Sequence, residues 1–198
     1  MNTRKLLFYM LAGLLGGCLP VVSLHPFYTK QNVVFDEKLL GTWADDPNEP
    51  ETVWQFQSID EPNDAYGLVL SDEDGVKGAF VVHLMKLEGR LFLDVYPSGA
   101  PWNMEDPNVS PLPFNSEFLI PTHTLVRIDS AEPRLKMRLM LETQLKKLLE
   151  EDPDAIAHVT VEDRPILTAS TKELQAFALK YADGDKLFTD EIVLQRRE

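Results

Sequence analysis

The chain has 198 residues, with 32 acids against 19 bases and a formal net charge of −13 at pH 7. A surface of that sign repels the nucleic-acid backbone and anionic headgroups at long range, which argues against nucleic acid as a partner. Its hydrophobic fraction of 44% is enough for one packed core, and its single cysteine, Cys18, rules out an internal disulfide and a cysteine-based zinc site.

Arg4 and Lys5 precede an apolar run from Leu6 to Leu15, and Leu15, Gly16 and Gly17 then lead into Cys18. A basic start, a short apolar run and small residues before a fixed point mark a secretory signal. Such a run does not cross the roughly 30 Å of bilayer hydrocarbon as a permanent helix. The stretch Leu15-Gly16-Gly17-Cys18 resembles the lipobox of bacterial lipoproteins. That resemblance implies a signal peptide over residues 1–17, cleavage before Cys18 and a diacylglyceryl group on its thiol. The protein would then be lipid-anchored in the bacterial cell envelope, with the membrane as a partner through the acyl chains on Cys18. Leu19 in the next position, where an aspartate would retain the protein in the inner membrane, implies the outer membrane of a diderm. The competing expectation is a plain secretory signal with an incidental cysteine.

Residues 18–32 are expected to form a lipidated tether, and residues 33–198 a single β-rich domain. Thr52-Val53-Trp54-Gln55-Phe56 alternates, placing Trp54 and Phe56 on one face. Tyr66 to Leu70 is a second strand, closed by the polar cluster Ser71 to Gly75. Val76 to Leu87 and Arg90 to Tyr96 flank Glu88-Gly89, a tight hairpin. After Tyr96, residues 97–117 form a long proline-rich loop holding Trp102 and Phe114, a candidate lid or partner contact. Phe118 to Ile128 and Arg134 to Leu141 continue the meander, and Arg134 to Leu139 has three bases on one face and three apolar residues on the other. Gln144 to Glu151 has helical spacing. Ser170 to Ala182 is the clearer helix, with a Ser170–Glu173 capping box and an apolar stripe of Leu174, Phe177, Ala178 and Tyr181. His158 to Val161 and Ile166 to Thr168 are short strands, and Leu187 to Leu194 a last one. The fold class is mainly β with a minor α component: an antiparallel meander forming a barrel-like or half-barrel sheet with two packed helices.

Catalytic signatures are sparse. No glycine-flanked serine elbow, phosphate-cradling loop or close histidine pair is present, so no catalytic residue, metal ligand or cofactor is expected. His83 and His123 fall on neighbouring strands with Asp94 nearby, the one place where acid–base chemistry is conceivable. Hydrogen-bonded or solvent-facing strand histidines are the simpler expectation. Asp72, Glu73 and Asp74 lack the alternation of a calcium loop and form a solvated turn.

The segment Leu39-Leu40-Gly41-Thr42-Trp43 opens the first strand. Its Gly-x-Trp resembles the opening signature of lipocalin-like barrels, which implies that Gly41 and Trp43 close one barrel end beneath a basic residue near the carboxyl end. Arg127 and Arg196 both qualify as that residue. The Thr-Asp-Tyr motif of that family is missing, and the helix at Leu145 interrupts where a barrel should continue. The chain from Leu24 to Trp43, and again from Ile166 to Leu174, also resembles small bacterial lipoproteins that bring no assigned activity. Together these features point to a membrane-anchored, non-catalytic protein binding a small apolar ligand. The alternatives are an interaction lipoprotein docking another envelope protein and, least favoured, a hydrolase.

Overall fold

The computed structural model describes residues 19–48, 50–59, 64–72, 75–98, 119–184 and 186–197. The strands are β1 Val22–Ser23, β2 Gly41–Ala44, β3 Thr52–Ser58, β4 Tyr66–Asp72, β5 Lys77–Leu87, β6 Arg90–Pro97, β7 His123–Ser130, β8 Arg134–Leu139, β9 His158–Val161, β10 Arg164–Leu167 and β11 Glu191–Arg197. Two helices join them, α1 Glu142–Glu151 and α2 Thr171–Tyr181. From β2 to β8 each strand pairs antiparallel with the next, and β11 then returns to pair with both β8 and β2. These eight strands make a closed antiparallel barrel. Closure leaves the barrel without a free edge.

Local chemistry explains the elements. Glu88 and Gly89 both take positive φ, 47° and 84°, giving the two-residue turn whose twist suits a hairpin. At the start of α2 the Glu173 carboxylate accepts hydrogen bonds from the Ser170 N–H at 2.9 Å and hydroxyl at 2.6 Å, the capping box that the sequence announces. These same bonds hold the Glu173 carboxyl below its ordinary range.

Period-2 alternation sorts the barrel side chains between two cores. The inward set includes Trp43, Phe56, Tyr66, Leu68, Val82, Leu84, Leu93, Val126, Leu135, Met137 and Leu194, all buried against one another. The outward set on β5, β6 and β7 includes Met85, Phe92 and Leu125, and it packs against Leu145 and Leu148 of α1 and Leu174, Phe177 and Ala178 of α2. The interruption at Leu145 is therefore an excursion. After β8 the chain leaves the barrel, builds α1, the β9–β10 hairpin and α2 on the outer wall, and comes back as β11 to close the ring.

The last strand begins at Glu191, later than the alternation suggests. Leu187 and Phe188 are fully buried in the outer core, so their apolar character serves that layer and not the barrel. Residues 19–32, expected as a tether, are stitched into the domain. Their strand β1 pairs antiparallel with β7 and parallel with β10, and Val21 and Phe27 are buried. Lower down, Val34 donates to the Leu84 carbonyl and continues the barrel wall past the start of β4.

One strand belongs to two sheets. β7 pairs with β8 from Val126 onward, whereas Thr124 and His123 pair with Val22 and Ser23 of β1. Beyond β1 lie β10 and β9, a side sheet branching from the barrel wall.

Candidate functional site

The barrel has two unlike ends. At one, the 3-10 turn Glu37–Leu39 enters β2, and the β3–β4, β5–β6 and β7–β8 connections turn. Leu39 and Trp43 are both 1% exposed there. The Trp43 Nε1–H donates to the Leu39 carbonyl at 2.9 Å. Above the indole lies the Arg196 guanidinium, 4.3 Å from the ring centroid. It is Arg196, on β11, that takes this place. Its Nη1 donates to the Leu40 carbonyl and its Nη2 to the Lys38 carbonyl, each at 2.7 Å. Cation–π contact and two charge-assisted bonds thus join the last strand to the first. Arg127 instead stands on the outer wall, bonded to Asp129 and the Ala182 carbonyl and set over Phe188.

Gly41 makes this closure possible. Its φ is 117°, and a Cβ there would sit 2.7 Å from Arg196 Nη1. Only glycine tolerates both the backbone and the crowding. Tyr66 completes the seal, its hydroxyl accepting from the Asp36 N–H at 2.6 Å and donating to the Asp36 carbonyl at 3.1 Å. Burial pushes its phenol up to about 12.

The opposite end is a mouth. The ends of β2, β4, β6 and β8 and the starts of β3, β5, β7 and β11 all lie there. The inward side chains nearest it are Trp54, Leu70, Phe80, Val95, Leu139 and Ile192, and all six are half-buried. Below them Phe56, Leu68, Val82, Val126, Met137 and Leu194 fill the barrel's middle. The middle of the barrel is thus packed with side chains, and only the upper layer is left partly exposed.

On the outer wall the structure brings His83, Asp94 and His123 together. His83 faces Asp94 across the β5–β6 ladder, and the Asp94 carboxylate lies 2.7 Å from His123 Nδ1. The other carboxylate oxygen accepts the Phe27 N–H at 2.7 Å. Asp94 is fully buried, so both bonds satisfy a charge that would otherwise be costly inside the protein. The His83 ring stacks on Tyr28 at 3.8 Å, and Tyr96 packs on His123 at 4.5 Å. Burial, working against the pull of Asp94, holds the His83 imidazole below its ordinary 6.5, and burial likewise raises the Tyr28 phenol. The neighbour of His123 across the β1–β7 pair is Ser23, but it is fully buried and its hydroxyl donates to the His25 carbonyl at 2.8 Å. Ser23 is therefore not free to act as a nucleophile beside the carboxylate–imidazole pair. What the pair does is fasten Phe27 and Tyr28 to the barrel wall.

A groove of about 460 Å³ lies beside the sealed end, lined by Arg90, Arg127, Asp129, Arg138 and Asp183 among others. Its arginines pair with carboxylates: Arg90 with Asp183, Arg127 and Arg138 with Asp129. Its members come from β6, β7, β8 and the turn after α2, so no local sequence pattern marks this groove. Among the described residues no three side chains are arranged to hold a metal ion, and no helix is long and apolar enough to cross a membrane. Leu15, Gly16, Gly17, Cys18, Trp102 and Phe114 lie outside the described residues.

Fold and site together define a closed eight-stranded antiparallel barrel, sealed at one end and apolar at the other. Compared with protein-family models, curated proteins and solved structures, the chain finds no match.

Two outcomes follow from this geometry. Gly41→Ala should destabilise the fold by about 1–3 kcal/mol, since it imposes an unfavourable backbone and displaces Arg196; urea unfolding measures it. Burial lowers the His83 imidazole in the folded state, so the unfolded chain takes up its proton first as pH falls. The stability this contributes is full above the ordinary imidazole value and is lost below it. The urea midpoint should therefore fall on acidification from about pH 7 to about pH 5, and fall less in His83→Phe, which keeps the stack on Tyr28.

Proposed function

We propose that the chain is a lipid-anchored bacterial envelope protein that binds a small apolar ligand, without catalysis, in the upper layer of its barrel. The observation that carries the binding half is the ring of six half-buried apolar side chains at the mouth, above a filled middle and a sealed base. Inward-facing apolar groups left partly in water gain free energy from any apolar molecule that covers them, at about 25 cal/mol per Å². The likeness of Gly41-Thr42-Trp43 to lipocalin-like openings supports the same reading, and Arg196 over Trp43 is the basic partner which that likeness implies. The anchoring half rests on the lipobox-like Leu15-Gly16-Gly17-Cys18. Acyl chains contribute about 0.8 kcal/mol per buried methylene, so two or three together hold a protein stably.

N-phenylnaphthylamine, a dye that brightens in apolar surroundings, tests the binding half. It should fluoresce with the native protein, and Phe80→Asp should weaken its affinity by about tenfold, or 1.4 kcal/mol, with the circular dichroism unchanged. No brightening, or brightening indifferent to Phe80→Asp, would remove the ligand from the mouth. Cys18→Ser should release the protein from the membrane fraction; retention there would remove the anchor.

A further inference from the structure

The side sheet has one covered face and one bare face. Strand alternation puts Ser23, Pro165 and Leu167 on the covered face, where all three are buried. The opposite face carries Val22, Ile166, Val159 and Val161, since Val22 pairs with Ile166 and Ile166 with Val159, together with Arg164, whose guanidinium bonds the Glu142 carboxylate of α1 at 2.9 Å. Val22 and Ile166 are half-buried, and Val159 and Val161 are 48% and 52% exposed. Among the described residues, the exposed large apolar side chains other than Phe35 and Val76 lie on or beside the strands of this sheet and β7. Leu19 and Leu24 flank β1, Leu119 and Ile120 lead into β7, and Val159 and Val161 are in β9. Solvent-exposed strands are ordinarily polar on the outer side, so an apolar outer face marks a surface that something covers.

The chain that leads into this sheet has no slack. The Leu19 carbonyl accepts the Glu142 N–H at 2.9 Å, and the Val21 N–H donates to the Met140 carbonyl at 2.8 Å. Leu19 follows Cys18 directly, so an acylated Cys18 would begin one residue, about 3.8 Å of backbone, from a hydrogen-bonded position. A lipid anchor at that point brings the headgroup region to the side sheet and to no distant part of the barrel.

We propose that the bare face of the β1–β10–β9 sheet rests on the lipid bilayer, with Val159 and Val161 entering the headgroup–acyl boundary. This proposal rests on the acylation of Cys18 proposed above. It makes the anchor an orienting device: the protein is held flush and in one attitude, where a flexible tether would let it turn freely.

The test uses the full-length protein, processed in a bacterial host, purified with its lipid and reconstituted in phosphatidylcholine vesicles. Zwitterionic lipid is chosen because the chain carries a charge of −13. Acylation consumes the one native thiol, so a cysteine introduced by Val159→Cys or Val161→Cys is the single site for an environment-sensitive nitrobenzoxadiazole label. Ala176→Cys, on the exposed side of α2 across the outer core, is the control. The labels at 159 and 161 should shift to the blue on reconstitution and be quenched severalfold by lipids spin-labelled near the headgroup, while the label at 176 should change in neither respect. Equal behaviour at all three positions overturns the proposal. So does a label at 159 already blue in detergent-free buffer and indifferent to vesicles, which would mean that the chain itself covers the face. Self-quenching at 159 that grows with protein density would identify a second copy of the chain as the occupant, and also overturns it. The mass of the amino-terminal peptide separates the two layers of argument. An unmodified peptide defeats the anchor and with it the proposal, whereas an acylated peptide with water-exposed labels at 159 and 161 defeats the proposal alone.

Discussion

The contact between Arg196 and Trp43 is where the two ends of the barrel meet. β2 is only four residues long, and β11 is reached after a detour through two helices and a hairpin. Backbone pairing over three residues, Gln195 to Arg197 against Ala44 to Thr42, would be a thin closure by itself. The guanidinium strengthens it by lying on the indole and bonding two carbonyls of the preceding turn. A guanidinium suits this work because it is flat, permanently charged and weakly hydrated. Everything inward depends on the ring being shut. If β11 came away from β2, two strand edges and the inner core would open to water together.

The barrel walls were legible in the sequence because period-2 alternation is a direct record of a sheet with unlike faces. Trp54 with Phe56, the Glu88-Gly89 turn and the Arg134 to Leu139 alternation all appear where expected, as does the Ser170 cap. What alternation records, however, is burial and not the layer that buries. Leu187 and Phe188 looked like the start of the last strand, yet they fill the outer core, and β11 begins only at Glu191. Val21 and Phe27 fall in the stretch expected as a tether, yet they are buried in that same outer core.

The site was legible in part. Gly41 and Trp43 were singled out by the resemblance of their Gly-x-Trp to a lipocalin-like opening, but the choice between Arg127 and Arg196 needed the strand order, because both are basic residues on strands. Their roles diverge through neighbours far away in sequence: Asp129 and Ala182 for one, Lys38 and Leu40 for the other. His83 and His123 were expected across neighbouring strands with Asp94 nearby, and the structure instead sets Asp94, on β6, between them. That Asp94 spends its second oxygen on the Phe27 N–H was not legible, since nothing in a sequence shows which backbone group will sit over a buried carboxylate.

The change of partner along β7 has a mechanical consequence. Below Val126 the strand is laddered on both sides, to β6 and to β8. Above it, the direct link to the β8 side is one hydrogen bond, from Met140 to the Leu125 carbonyl at 3.5 Å, and β1 is inserted beside it: it pairs with β7 while Val21 donates to the Met140 carbonyl and Pro20 bridges Leu141. The circumference is therefore shut at the base by direct strand pairing and, along one line at the rim, through a segment from the start of the domain. Parting the rim on that line requires this segment to leave first, as a keystone must be drawn before an arch can open.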